Sequence, residues 1–105
     1  MKRILAALLF AASISTVQAT TIGALAGACG GNAMKLADVM ESVTRDQPTE
    51  ENRNLLRYFR GQQTVFYQTW GQQKEFMPAA EYMYTAVMTV EDRLRVADRC
   101  QEVIK

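Results

Sequence analysis

Residues 79–104 read AAEYMYTAVMTVEDRLRVADRCQEVI, and the way this stretch folds decides the architecture of the whole chain. Together with Phe76, its apolar residues recur at steps of three and four: Ala80, Met83, Val87, Val90, Leu94, Ala97, Cys100 and Ile104. That period is helical. The stretch is then either one long helix or two short ones. Cys100 near its end has one possible intramolecular partner, Cys29, because the chain holds only two cysteines. Whether those two are joined settles the choice.

The other end of the chain says that they are. Lys2 and Arg3 precede an uncharged apolar run, Ile4 to Ala12, and a polar stretch then leads to Val17-Gln18-Ala19. Small residues at −3 and −1 fit signal peptidase, so residues 1–19 read as a signal peptide cleaved before Thr20. The apolar run is far shorter than the roughly 20 residues of a membrane-spanning helix. A short signal of this kind points to a Gram-negative periplasm. Ala26-Gly27-Ala28-Cys29 is a poor lipobox, since Ala26 stands where leucine is usual and the apolar run ends well upstream. Cys29 is therefore read as a half-cystine and not as a lipid anchor. In an oxidising compartment, Cys29 and Cys100 pair. Removing 19 of 105 residues leaves about 86, one domain (20–105) with a marginal core. Closing a loop of about 72 residues stabilises such a domain by roughly 4 kcal/mol in the chain-entropy model.

Upstream of 79, two more helices are legible. Ile22, Leu25, Ala26, Cys29, Ala33, Leu36, Met40 and Val43 lie on one helical face, giving a helix over about 22–44. Gly30-Gly31 interrupts it at a cost of about 2 kcal/mol. Either the helix tolerates the glycines for close packing or it begins at Asn32, a good N-cap. Gln47-Pro48 ends this element, and Thr49 with Glu50 and Glu51 opens a second helix over about 49–75, carrying Leu55, Leu56, Phe59, Phe66 and Trp70. Thr64 to Trp70 has strand-like composition, but a strand there finds no partner, because 82–90 belongs to the helical stripe.

If 79–104 were one helix, the first and last of three helices would run parallel. Cys29 would then lie about 10 Å along its helix and Cys100 about 30 Å along its own, whereas bridged Cα atoms must be within about 7 Å. A break removes the conflict, and Thr89-Val90-Glu91-Asp92 supplies it: a threonine cap followed by acids in the first turn. A break at Gly61 or Gly71 is the alternative repair. The sequence thus predicts an all-α, four-helix bundle (about 22–44, 49–75, 79–88 and 90–104) with one disulfide between the first and last helices.

The chemistry available to such a chain is narrow. It has no histidine, hence none of the usual general bases or commonest metal ligands. Oxidised cysteines supply no thiolate. Asp38 and Glu41, Glu50-Glu51 and Glu91-Asp92 read as solvated faces and helix-start acids. Gly30-Gly31 is not followed by the Lys-Ser/Thr of a phosphate loop. No catalytic residue, cofactor or metal is expected. The mature chain carries 10 basic against 11 acidic residues, which gives no footprint for nucleic acid. No second apolar run is long enough to span a membrane.

What remains is recognition of another protein. Arg53, Arg57 and Arg60 share a helix face with Tyr67, and Arg and Tyr dominate interface hot spots. Gly61-Gln62-Gln63 and Gly71-Gln72-Gln73 do not share a face, and Phe66, Tyr67 and Trp70 also suit a core. Met34, Met40, Met77, Met83 and Met88 suit a core or an adaptable binding surface. The expectation is a non-enzymatic periplasmic protein-binding protein: an inhibitor, an immunity factor against a toxin, or an accessory subunit. In plan, with a signal peptide, a short helical domain, one disulfide and no catalytic set, the chain also resembles the HdeA-type acid-stress chaperones. That resemblance implies a domain loosened by acid, where up to 11 carboxylates are neutralised and 10 positive charges stand uncompensated.

Overall fold

A computed structural model describes residues 21–104, so residues 1–19, read from the sequence as a signal peptide, lie outside the described residues. Four helices follow one another: α1 (Ile22–Asp46), α2 (Glu50–Trp70), α3 (Phe76–Thr85) and α4 (Val90–Ile104), with no strand among the described residues. Residues 64–70 are the last two turns of α2. Cys29 and Cys100 are bridged with their Cα atoms 5.7 Å apart, so the disulfide ties α1 to α4.

The chain breaks where the sequence says it must. The Thr89 hydroxyl accepts from the Asp92 amide at 3.0 Å, capping α4, while Glu91 and Asp92 face the positive end of its dipole. Thr49 caps α2 in the same way through the Asn52 amide. At the start of α1 the cap is Thr21, not Asn32, and the helix runs unbroken through Gly30-Gly31. The reason is close approach. A Cβ on Gly27 would meet the carbonyl oxygen of Phe76 at 2.2 Å, and one on Gly31 would meet that of Ala80 at 2.1 Å. Glycine is what lets α3 lie directly on the backbone of α1.

Three boundaries differ from the predicted ones by three residues or more. α2 stops at Trp70 instead of running to 75, because the chain tightens into turns closed by Gln73 N–H to Trp70 and Phe76 N–H to Gln73. α3 begins at Phe76, three residues before the predicted start, with Pro78 in its first turn where a missing N–H costs nothing. It ends at Thr85 instead of 88, since the Arg93 side chain takes the carbonyls of Met83, Tyr84 and Ala86.

The helix α1 is the hub. It packs along α2 and α3 and crosses α4, whereas the other three helices meet one another only marginally at the backbone. Cys29 opposes Cys100, and Asn32 bonds the carbonyl of Arg93, so α4 runs obliquely against the direction of α1. Serving three neighbours, α1 buries a broad arc: Gly23, Ala26, Gly27, Cys29 through Ala33, Leu36 and Ala37. The predicted core stripes are correspondingly corrected. Ile22, Leu25 and Val43 on α1, Leu55 on α2, and Val87, Val90, Leu94 and Ile104 are exposed. On the last helix, the turn at 86–89 sets a rotation that puts Arg93, Ala97 and Cys100 inward.

Two apolar clusters result. One joins Ala26, Cys29, Phe66, Phe76, Ala80 and Cys100, with Tyr67, Trp70, Val96 and Val103 against it. The other joins Leu36, Ala37, Phe59 and Ala97, with Met40 and Leu56 against it.

Candidate recognition site

The arginines singled out from the sequence lie exposed on α2, and each has a near partner. Arg53 donates to the Pro48 carbonyl at 2.7 Å, holding the α1–α2 turn. Arg57 donates to the Asn54 side chain one turn back. Arg60 faces Glu41 of α1 at 3.7 Å, with both side chains about half exposed. An exposed pair of this kind adds little stability. Only Arg60 leans across the α1–α2 seam.

Tyr67 lies two turns beyond Arg60, about 10 Å along the helix, and its environment is different. Its ring packs edge-on against Phe76 at 4.9 Å between centroids and is half-buried. The structure therefore separates Tyr67 from Arg53 and Arg57, and leaves Arg60 as its nearest arginine along α2.

What Tyr67 joins is a groove. Because α2 and α3 both lie on α1 with their backbones well apart, a cleft of about 470 Å³ opens between them. Met34 of α1 and Tyr67 of α2 line it together with Met77, Pro78, Ala80, Glu81 and Tyr84 of α3. Met77 is 54% exposed, although it is a large apolar side chain. Tyr84 is fixed from outside the groove: its hydroxyl donates to the Asp38 carboxylate, and Lys35 Nζ stands 5.0 Å over its ring. Accepting that hydrogen bond, Asp38 raises the Tyr84 pKa; burial raises that of Tyr67. Both phenols remain neutral across the physiological range, so the groove offers two aromatic rings, two thioethers and one carboxylate.

Sequence reasoning named Tyr67 but not Met34, Met77, Glu81 or Tyr84 as a set. The signal that finds them is the spacing of Gly27 and Gly31, four apart, which marks the α1 face that α3 occupies and so fixes which α3 residues border α2.

The buried polar groups form a second cluster that was not anticipated. Arg93 is 2% exposed, and among the described residues no carboxylate forms an ion pair with it. Its guanidinium donates to the carbonyls of Met83, Tyr84 and Ala86 and to Asn32 Oδ1, and burial lowers its pKa. Asn32 Nδ2 in turn donates to the Arg93 carbonyl at 2.9 Å. Gln62 Nε2 donates to the Ala97 carbonyl and to Gln101, while its buried Oε1 has no partner. The Arg93 cluster closes the end of α3, where a positive group complements the helix dipole.

Among the described residues, no three His, Cys, Asp or Glu side chains are grouped to hold a metal ion, both cysteines are in the disulfide, and no helix is long and apolar enough to cross a membrane. No protein-family model matches the chain, and no curated protein or solved structure is significantly similar to it.

Proposed function

We propose that this chain is a non-enzymatic periplasmic protein-binding protein, of the inhibitor, immunity-factor or accessory-subunit kind, and that its partner docks at the α2–α3 groove. The observation that supports this most is the groove itself, where Tyr84, Met34 and Met77, with one edge of the half-buried Tyr67, stand around open space. Tyrosine rings give contact area at low entropic cost, and methionines adapt their shape to what they meet. A cleft of about 470 Å³ accepts one or two large apolar side chains of a partner. Arg60 stands two turns along the same edge of α2, at the rim where charged residues steer encounter.

A photo-crosslinking side chain placed at Met77, and separately at Glu81, tests this in cells. The expected result is one discrete product from both positions, absent when the crosslinker sits at Arg99 on α4 and weakened by Tyr67→Leu. No product from Met77 and Glu81, or the same product from Arg99, counts against the reading.

The acid-stress alternative draws less support. Among the described residues, the carboxylates that bond between helical segments are Asp38 to Tyr84, Glu41 to Arg60 and Glu75 to Thr21, and all three contacts are exposed. The buried polar contacts, through Arg93, Asn32 and Gln62, contain no carboxylate. Acid therefore acts on this domain chiefly through general charge repulsion.

A further inference from the structure

We propose that α4 is a hinged flap, anchored near its start by Arg93 and latched near its end by the Cys29–Cys100 disulfide, so that reducing the disulfide releases its C-terminal half and uncovers an apolar face.

The proposal follows from what α4 buries. Its inward stripe consists of an arginine, an alanine and a half-cystine, Arg93, Ala97 and Cys100, flanked by half-buried Val96 and Val103. Its larger apolar residues Val90, Leu94 and Ile104 point outward and are exposed. No Leu, Ile, Met or aromatic side chain of α4 enters the core, so the hydrophobic hold on this helix is small compared with that on α2, which inserts Phe59 and Phe66. A helix of 15 residues is itself marginal in water once detached.

The two ends of α4 are held differently. At its start, Arg93 bonds three carbonyls at the end of α3, and Asn32 of α1 bonds both its guanidinium and its carbonyl. This is a polar node that no reductant touches. From Ala97 onward, among the described residues, the side-chain hydrogen bonds to the other helices run to the Gln62 amide alone, whose Oε1 is buried and unpartnered. Lifting the second half of α4 lets water reach that oxygen, so the polar terms resist opening less than a fully satisfied interface would. What keeps residues 97–104 down is therefore mainly the covalent bond.

Cys100 shares an apolar cluster with Phe66 and Ala26, against which Trp70 packs, and Ala97 shares one with Phe59 and Leu36, so lifting 97–104 opens both clusters. The sulfurs are enclosed, Cys29 being 3% and Cys100 2% exposed. Cys100, however, stands one turn from the end of α4, where helices fray, and fraying gives a dithiol access. In the exchange, one dithiol attacks the protein disulfide through a mixed disulfide. It leaves two protein thiols, Cys29 and Cys100, and takes away the electron deficit as its own disulfide.

Hydrogen exchange followed by mass spectrometry, on the oxidised protein and on protein reduced with dithiothreitol and alkylated, reads this directly. A Cys29→Ala/Cys100→Ala variant removes the bond without adding alkyl groups. The expected result in both reduced and variant protein is that amides of 97–104 lose essentially all of their protection, while those of α1, α2 and α3 stay measurably protected, with a loss no greater than the roughly 1,000-fold that removal of the loop constraint sets for global unfolding. Two outcomes overturn the proposal. If 97–104 keep their protection, the disulfide is no latch. If all four helices lose their protection completely and to the same extent, the disulfide holds the whole fold and α4 is not a separate flap.

Discussion

Arg93 reaches back across the α3–α4 turn and donates to the Ala86 carbonyl at 2.6 Å. A buried charge with no opposite charge beside it is normally costly. Here it is sustained by main-chain carbonyls at the negative end of α3 and by Asn32, in a fork geometry that guanidinium has and ammonium lacks. Arg93→Ala leaves those carbonyls and Asn32 Oδ1 buried without their donor, and is expected to destabilise the domain by about 3 kcal/mol. Arg93→Lys recovers less than half of that. Urea unfolding followed by circular dichroism gives both values, and a loss below about 1 kcal/mol for the alanine variant removes Arg93 from the role of anchor.

Two glycines inside helices should respond in opposite directions to the same change. Around Gly61, in α2, nothing lies within 4 Å of where a Cβ would stand, so Gly61→Ala gains helix propensity and stabilises by up to about 1 kcal/mol. The same substitution at Gly31 drives a methyl group onto the Ala80 carbonyl at 2.1 Å. There α3 must move off α1, and a loss of about 2–3 kcal/mol outweighs the propensity gain. Thermal unfolding of the two single variants is sufficient, since the sign alone distinguishes them.

The fold was legible because one covalent constraint met one capping signal. Cys29 and Cys100 forbid a straight third helix, and Thr89-Val90-Glu91-Asp92 carries the capping signal that breaks of this kind need, which Gly61 and Gly71 lack. Side-chain direction was less legible. Apolar period places Val90 and Leu94 in a core stripe, yet they face water, because the rotation of α4 is set by Arg93 bonding the carbonyls at the end of α3. That requirement is tertiary and leaves no mark on hydrophobic spacing. The groove shows the same division: Tyr67 stood out as a residue type, but its neighbours Met77 and Tyr84 are fixed by the glycine-mediated contact of α3 with α1.

The phenols give a pH dependence on the alkaline side. The pKa of Tyr84 is raised above 10.0 by its hydrogen bond to Asp38, that of Tyr67 by burial, and that of Tyr58 by burial and by nearby Asp98. A raised folded-state value means that the folded chain holds its protons more tightly than the unfolded chain. The stabilisation is complete below the ordinary tyrosine value and is lost as pH climbs through the folded values. The unfolding midpoint in urea should therefore fall steadily above pH 10, and Tyr84→Phe should make that fall shallower. A midpoint flat between about pH 9 and 11.5 contradicts the assignment.

Acid is the opposite case, and it separates the two functional readings. Protonating Asp38, Glu41 and Glu75 removes only exposed contacts, while the disulfide and the Arg93–Asn32 node are untouched by protons. Against this, the neutralised acids leave the basic residues unopposed, a repulsion that salt at physiological strength screens beyond about 8 Å. The domain is expected to keep its helical circular dichroism at about pH 3 in such salt, losing no more than about a tenth of the signal, and to protect no aggregating client there. Retained structure without client protection favours a folded binder acting through the groove. Collapse of the near-ultraviolet signal at that pH, with client protection appearing in the same interval, favours the acid chaperone instead.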